Sequence, residues 1–479
     1  MRCTSCLLLL ALLTSTVAPP SFAADTWPNF RGTNASGASE DKAKLPIEIG
    51  PDKNVVWKVT LPSGHSSPVV AGNRVFVTSV DKEKRLLTIG IDRATGKVLW
   101  RAVAQYKELE TVHAIGGQAQ CSCATDGERV VSFFGSSGLY CYDADGKLLW
   151  KHRMGPFRDT YGAAASPLII GDRVILNQDH DTDSFLAAYN KETGKVIWKV
   201  DRSEFPRGYS TPVLWNNKGK KQIVVVGAIR IIGYDLATGK EQWTVGGIAR
   251  LTNATPAVGA DGNLYVSQWA PGGDSNAVRF SADPPEKFFA DFDANKDKVV
   301  VFDELPNGPL KARFPQIDRN KDGRITNVEY AWMAKIINAA RNMFLAIKPG
   351  GEGDITETHV LWKRYKYLPY VPSPLYYRGN LFTVKNGGIV VSINAKTGET
   401  IKTARAPKTG QYYASPVAGD GKVYLLDERG GLTVLDAKGD WQVLHTADFN
   451  DDAYATPAIA GGRIYLRTWT TLYCFGLKK

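Results

Sequence analysis

Seven residues between positions 318 and 329 have the types and the spacing of a cation site. Asp318, Asn320, Asp322, Gly323, Ile325, Thr326 and Glu329 fall at positions 1, 3, 5, 6, 8, 9 and 12 of a twelve-residue loop. Three alternating oxygen-bearing side chains and the Arg324 carbonyl can wrap one hard cation, Gly323 permits the sharp turn, and Glu329 closes the sphere with both carboxylate oxygens. Residues 310–314 before the loop and 328–338 after it have the composition of helices. The chemistry implied is calcium binding.

A second loop lies 25 residues earlier, with Asp293, Asn295, Asp297 and Glu304 at positions 1, 3, 5 and 12 and the Val299 carbonyl at position 7. Lys298 replaces the turn glycine, and a left-handed non-glycine residue costs on the order of 1 kcal/mol. Val301 removes the ligand at position 9. This loop is either a second calcium site or a structural partner of the first. Together they resemble the EF-hand family, whose usual unit is such a pair, here joined by a short helix ending at Arg313 and Phe314. A third acidic group, Asp179, Asp181 and Asp183, begins like a calcium loop, but Asn190 stands where Glu is needed. It reads as a solvated turn, with a weak ion site as the alternative.

The elements that carry these loops are repeats. Residues 90–100 contain Asp-x-x-Thr-Gly-Lys-x-x-Trp, which recurs in close form at 188–198 and 233–243 and, one residue shorter, at 141–150. The Asp or Asn side chain can bond the turn backbone, Gly supplies a positive φ, and the returning strand ends on a Trp that one small sheet cannot bury. A second marker, Ser or Thr before Pro, occurs at Ser67, Ser166, Thr211, Thr255, Ser373, Ser415 and Thr456, and in degenerate form as Ser122-Cys123. Marker intervals such as 45, 44 and 42 residues match one four-stranded propeller blade. Eight units follow, with residues 54–59 left as an orphan strand that would complete the last one. Trp57, Trp100, Trp150, Trp198, Trp243 and Trp362 take the closing position, which Lys402 and His445 fill in units six and seven.

The repeat string resembles the tryptophan-docking motif of pyrroloquinoline-quinone-type (PQQ-like) propellers, among which the outer-membrane protein assembly factors are similar. The resemblance implies an all-β, eight-bladed propeller of four-stranded antiparallel blades. One interval is too long: between Pro256 and Pro374 only one closing Trp appears. The domain reading is therefore a leader at 1–23, a strap at 24–53, propeller at 54–275, the EF-hand pair inserted in blade five at 276–342, and propeller again at 343–479.

The position three before each marker Pro should line the mouth of the central channel. It collects His65, Gln120, Ala164, Tyr209, Asn253, Val371, Tyr413 and Tyr454, with Tyr370 and Tyr412 adjacent. Aromatic faces with a few polar tips suit a sugar or flat ligand, or simply plug the channel. Two function classes compete. A quinoprotein dehydrogenase oxidising alcohols or sugars would need PQQ, yet the adjacent Cys-Cys pair of such enzymes is missing, since Ser122 separates Cys121 from Cys123. No haem-attachment segment or rim carboxylate base is evident either. The sequence therefore favours a non-catalytic binding or scaffold module with Ca2+ and without PQQ.

Composition narrows the setting. The 479 residues are 43% hydrophobic and 22% charged, as in a globular protein. Arg2, the apolar run 7–13 and Ser21-Phe22-Ala23 form a secretory leader cut after Ala23, which places the protein in the periplasm or outside the cell. The run is too short to span a bilayer, and the remaining chain has no transmembrane segment. The formal charge of +11 lacks a dense Lys/Arg run, so nucleic acid is not indicated. The expected partner is a protein or glycan of the cell envelope, bound by a monomer. Cys141 and Cys474 occupy a slot otherwise filled by small residues and serve as packing; Cys121 and Cys123 read as packing before disulfide or metal.

Overall fold

A computed structural model describes residues 25–181, 183–271 and 281–477; the leader at 1–23 lies outside them. The chain forms eight blade sheets arranged as an eight-bladed propeller, seven of four strands and one of five, plus a two-stranded ribbon in the insertion. The orphan strand, Val55–Thr60, pairs antiparallel with the last strand, Thr471–Phe475. The first and last parts of the chain thus share blade eight, and closure leaves no blade-to-blade gap.

The turn motif behaves as its chemistry predicts. Asp92 Oδ1 accepts from the Thr95 amide (2.8 Å) and hydroxyl (2.7 Å), and Asn190 and Asp235 hold Thr193 and Thr238 in the same way. Each closing Trp lies opposite the small-residue slot of its own blade: Trp100 faces Gly90, Trp150 Cys141, Trp198 Ala188 and Trp57 Cys474. Its indole then docks on the next blade's turn. Trp57, Trp100, Trp150, Trp198 and Trp362 donate from Nε1 to the carbonyls of Arg93, Ala144, Lys191, Leu236 and Ala395, at 2.9 to 3.1 Å. Every acceptor is the residue after the turn Asp or Asn. Gly96, at φ +78°, lies flat beneath the Trp57 ring, where a side chain would collide.

Three joints depart from this rule. Trp243 has no such turn ahead of it, because the hairpin between blade five's last two strands, Met343–Ile347 and Val360–Arg364, lacks the Asp-x-x-Thr-Gly string; it is fully buried, donates to Gln222 Oε1 at 2.7 Å, and meets Trp215 edge-on at 5.4 Å. Trp215 makes the crossing bond instead, to the Gly262 carbonyl at 2.8 Å. Blade five's hairpin also reaches back, adding Gly353–Asp354 as a parallel fifth strand to blade four. At the second joint Lys402 donates to the Trp441 carbonyl at 2.5 Å and lies over its ring at 4.3 Å. At the third, His445 Nε2 bonds the strap carbonyl of Ile49 at 3.0 Å.

The strap bonds to blades one, four, six and seven. Trp27 pairs with Val70, Asn34 with Leu214, Arg31 Nη2 donates to Pro374 O at 2.8 Å, and Ser39 N to Ala418 O. The four described cysteines are free and buried. Cys121 donates to Ala163 O at 3.0 Å and Cys123 lies against Ser132, so both are packing residues.

The Asp179 to Asp183 turn differs from the sequence reading. Asp179 and Asp181 are buried rather than solvated, each held bidentately: Asp179 by Arg202 (2.8 and 2.7 Å) and Asp181 by Arg207 (2.8 and 2.5 Å). The arginines follow the outer strand of the same blade, and their charge compensates the acids that a lone turn would have left in water.

A Cβ at Gly90 would fall inside the Trp100 ring, whereas at Gly246 nothing lies closer than 3.8 Å. Gly90→Ala is expected to cost about 1–3 kcal/mol by overpacking and Gly246→Ala almost nothing, as read by urea unfolding. Equal effects would contradict tryptophan docking.

Candidate functional site

The marker residues build the centre. The backbone N–H of Ser67 donates to Ser122 Oγ, Ser122 to Ser166, Ser166 to Thr211 and Thr211 to Thr255; the series continues through Ser373, Ser415 and Thr456 back to Ser67, all at 2.9 to 3.1 Å. Eight blades are thus stitched by one closed circle of hydroxyls. Ser122, whose Pro is replaced by Cys123, is a full member.

Above the circle lies a cavity of about 170 Å³. All eight residues three before the marker line it, including His65, Gln120, Tyr209, Asn253, Tyr413 and Tyr454, and Tyr370 joins them. The structure also brings in residues outside that pattern: Tyr161, Ile115 and Leu251 from the loops, and Phe30 from the strap. His65 sits between Tyr454 at 4.4 Å and Trp469 at 5.2 Å. Burial, then the nearby Arg467 charge, push its imidazole down to about 4, so it is neutral at pH 7. Among the described residues, no Asp, Glu, Lys or Arg lines this cavity.

Behind one wall stands a carboxyl that the sequence pattern does not reveal. Tyr209 donates its hydroxyl to Asp159 Oδ1 at 2.8 Å, while Asp159 Oδ2 is buried with no hydrogen-bond partner. Burial pushes this carboxyl up to about 7, against the lowering effects of the Tyr209 hydroxyl and the Arg207 charge. Asp159 lies on a connection between blades, where no repeat position marks it.

The inserted residues form the second candidate. Helix Pro285–Phe292 enters the first loop, and Asn327–Ala339 leaves the second. The expected joining helix is split into Pro309–Ala312 and Phe314–Ile317. Val299–Val301 pairs antiparallel with Arg324–Thr326, with Val300 opposite Ile325. Both loops make the same six internal bonds. Asp318 accepts from Asp322 N and Gly323 N, Asn320 from Asp322 N, Asp322 from Arg324 N, and Glu329 from Arg319 N and Thr326 N. Asp293, Asn295, Asp297 and Glu304 repeat the set. Lys298 takes the left-handed conformation, φ +69°, that Gly323 takes at +81°. The substitution therefore strains the first loop without changing its path.

Among the described residues, no three His, Cys, Asp or Glu side chains already converge as a cage. The loops' donors are mixed, with an Asn and a backbone carbonyl completing each set. Asp318 and Glu329 are buried, and no ion pair engages them among the described residues. Buried carboxylates without an ion pair, with further oxygen donors around them, fit a hard cation. The pair also touches the propeller: Trp332 donates to the Glu204 carbonyl at 3.1 Å, Arg319 lies over Trp332 at 4.1 Å, and Lys321 faces a crevice shared with His180 and Asp183. Its stem is clamped by Asn342 and Ala270, which exchange bonds at 2.8 and 2.9 Å.

Comparisons with known proteins agree with this architecture. A family profile described as outer membrane protein assembly factor BamB matches residues 42–110 and 88–268. Over those residues the chain is similar to the propellers of the PQQ-like repeat family. Outer membrane protein assembly factor BamB of Burkholderia pseudomallei (strain K96243) is 24% identical over 184 residues, 36% of this chain and 41% of that protein. The match thus spans about two fifths of that relative's length. The crystal structure of BamB from Moraxella catarrhalis aligns at 15% identity and TM-score 0.54, covering 88% of this chain and 97% of that one. The computationally designed Ika8 protein aligns at 12% and 0.54, covering 88% and 100%. These two likenesses carry the fold alone. PQQ-like repeats here supply blade closure, and among the described residues the channel-mouth lining holds no cation to pair with a carboxylated quinone.

Folded Asp159 ionises near pH 7 against 3.8 for the free group. Between those values the folded chain keeps a proton that the unfolded chain releases, so this group's contribution falls as pH rises through the window. Melting curves of Asp159→Asn and the parent should therefore diverge in the variant's favour from about pH 4 to about pH 7 and run parallel above. Parallel curves throughout would place the carboxyl in water.

Proposed function

We propose that this protein is an exported binding module of the cell envelope whose propeller carries a calcium-ordered pair of EF-hand loops as a docking element. The observation that carries this reading is the identical six-bond framework of the two loops, one of which holds buried carboxylates lacking an ion pair. Calcium would relieve the mutual repulsion of Asp318, Asp322 and Glu329, with the Asn320 side chain and Arg324 carbonyl completing the sphere. The Asp293, Asn295, Asp297, Val299 and Glu304 set would take a second ion more weakly, because it is more exposed and strained at Lys298.

Ordering the second loop would fix positions 2 and 4, Arg319 and Lys321, and the exit helix that carries Trp332. Those residues meet the corner of blades three and four, so calcium would set how firmly the pair sits on the ring. The leader reading puts the chain beyond the cytoplasmic membrane, and the relative's name ties that protein to outer-membrane protein assembly. For the described residues, no helix is long and apolar enough to cross a membrane. The occupant of the docking surface would be an envelope protein or glycan. The dehydrogenase alternative is disfavoured by the uncharged cavity and by the burial of Cys121 and Cys123 on either side of Ser122.

Calcium added to the full-length, chelator-treated protein is expected to raise its melting temperature, with stabilisation of about 3–4 kcal/mol when calcium exceeds Kd by a few hundredfold. Glu329→Gln should remove most of that shift and Glu304→Gln a smaller part. An unchanged melting temperature in calcium would sink the proposal, as would equal shifts in the parent and Glu329→Gln.

A further inference from the structure

Each hydroxyl of the circle accepts a neighbour's amide proton, and none donates its own proton to a hydrogen-bond acceptor among the described residues. A hydroxyl has one proton to give besides its lone pairs. Ser67, Ser166, Ser373, Ser415 and Thr456 border the cavity, so its floor is an arc of donors. The rim has the opposite sense. Gln120 donates from Nε2 to the carbonyls of Tyr161 and Gly162 at 2.8 and 2.9 Å, and Asn253 from Nδ2 to Tyr370 O at 3.2 Å. The Asn253 amide oxygen is left as an acceptor, while that of Gln120 faces the His65 imidazole. Between floor and rim the wall is an uncharged aromatic arc, Tyr413 on Tyr454 at 5.3 Å and Tyr454 on His65 at 4.4 Å.

We propose that this cavity binds a neutral pyranose, the terminal sugar of an envelope glycan, with its edge on the hydroxyl floor and its face on the aromatic arc. The assignment rests on the binding-module reading of the ring and is independent of calcium. A sugar hydroxyl both donates and accepts, so one ring can satisfy floor and rim together, while its C–H face packs on tyrosine. A carboxylated quinone would bring negative charge to a lining without a cation. A phenyl side chain would cover the floor hydroxyls without pairing them, which is unfavourable once water is displaced.

The test uses the full-length protein, with calorimetry and saturation-transfer NMR. The probes are methyl glucopyranoside, methyl galactopyranoside and N-acetylglucosamine, with PQQ and N-acetylphenylalaninamide as rivals. At least one pyranoside should bind, and Tyr454→Ala should weaken it by about tenfold, the value of one aromatic contact. Lys396→Ala, on the exposed turn of blade six, should bind it as the parent does, and a melting curve of each variant separates lost binding from lost fold. No pyranoside bound at about 10 mM, far weaker than a functional site requires, would overturn the proposal. So would binding unaffected in Tyr454→Ala, or preference for either rival. A sugar that is bound and also oxidised in a dye assay would keep the pyranose site and reject the binding-module reading.

Discussion

The hydroxyl circle is the constraint on which the rest of the molecule depends. Its hydrogen bonds are ordinary in length, and each alone is worth only about 1 kcal/mol. Their force lies in being cyclic. Every blade supplies one amide and one hydroxyl in the same rotational sense, so a blade out of register would leave a buried donor and a buried acceptor without partners. The cost of that defect exceeds the gain from any single bond. Register at the circle in turn decides which residues stand three positions earlier. That is why side chains from all eight blades, distant in sequence, meet around one cavity.

The outer joints tolerate more variety than the inner circle. Five tryptophans dock on the following turn by one shared rule. Where the turn is missing, Trp215 and Trp243 divide the task; where the Trp is missing, Lys402 covers Trp441 or His445 holds the strap. Each solution fills the same wedge between blades with a large amphipathic side chain that keeps one polar bond. Blade five can lose its docking turn because Gly353–Asp354 reaches back to pair with blade four.

Much of this was legible in the sequence because it is periodic. The Ser/Thr-Pro marker located every circle member, the Asp-x-x-Thr-Gly-Lys-x-x-Trp string located the joints, and the break before Trp362 located the inserted residues. The cavity residues followed from one offset. What was not legible is aperiodic. Asp159 gains its place from Tyr209, 50 residues away, and nothing in its own segment marks it. Asp179 and Asp181 looked solvated because their arginine partners lie 23 and 26 residues downstream. Lys298 looked like a defect in the first loop, and the backbone absorbs it at a cost smaller than the six bonds it leaves intact.

The resulting molecule combines a closed ring with an uncharged central cup and a pair of acidic loops seated on its blade three to four corner. Recognition by shape and hydrogen bonding would occur at the cup, and ordering by a cation at the pair. The most direct measurement is a long-wavelength anomalous difference map from a crystal of the full-length protein grown in calcium. The account predicts a peak in the Asp318 to Glu329 loop, about 2.4 Å from the Glu329 carboxylate oxygens, and a weaker one in the Asp293 to Glu304 loop. A map with no peak in either loop, or with its main peak in the channel, would contradict it.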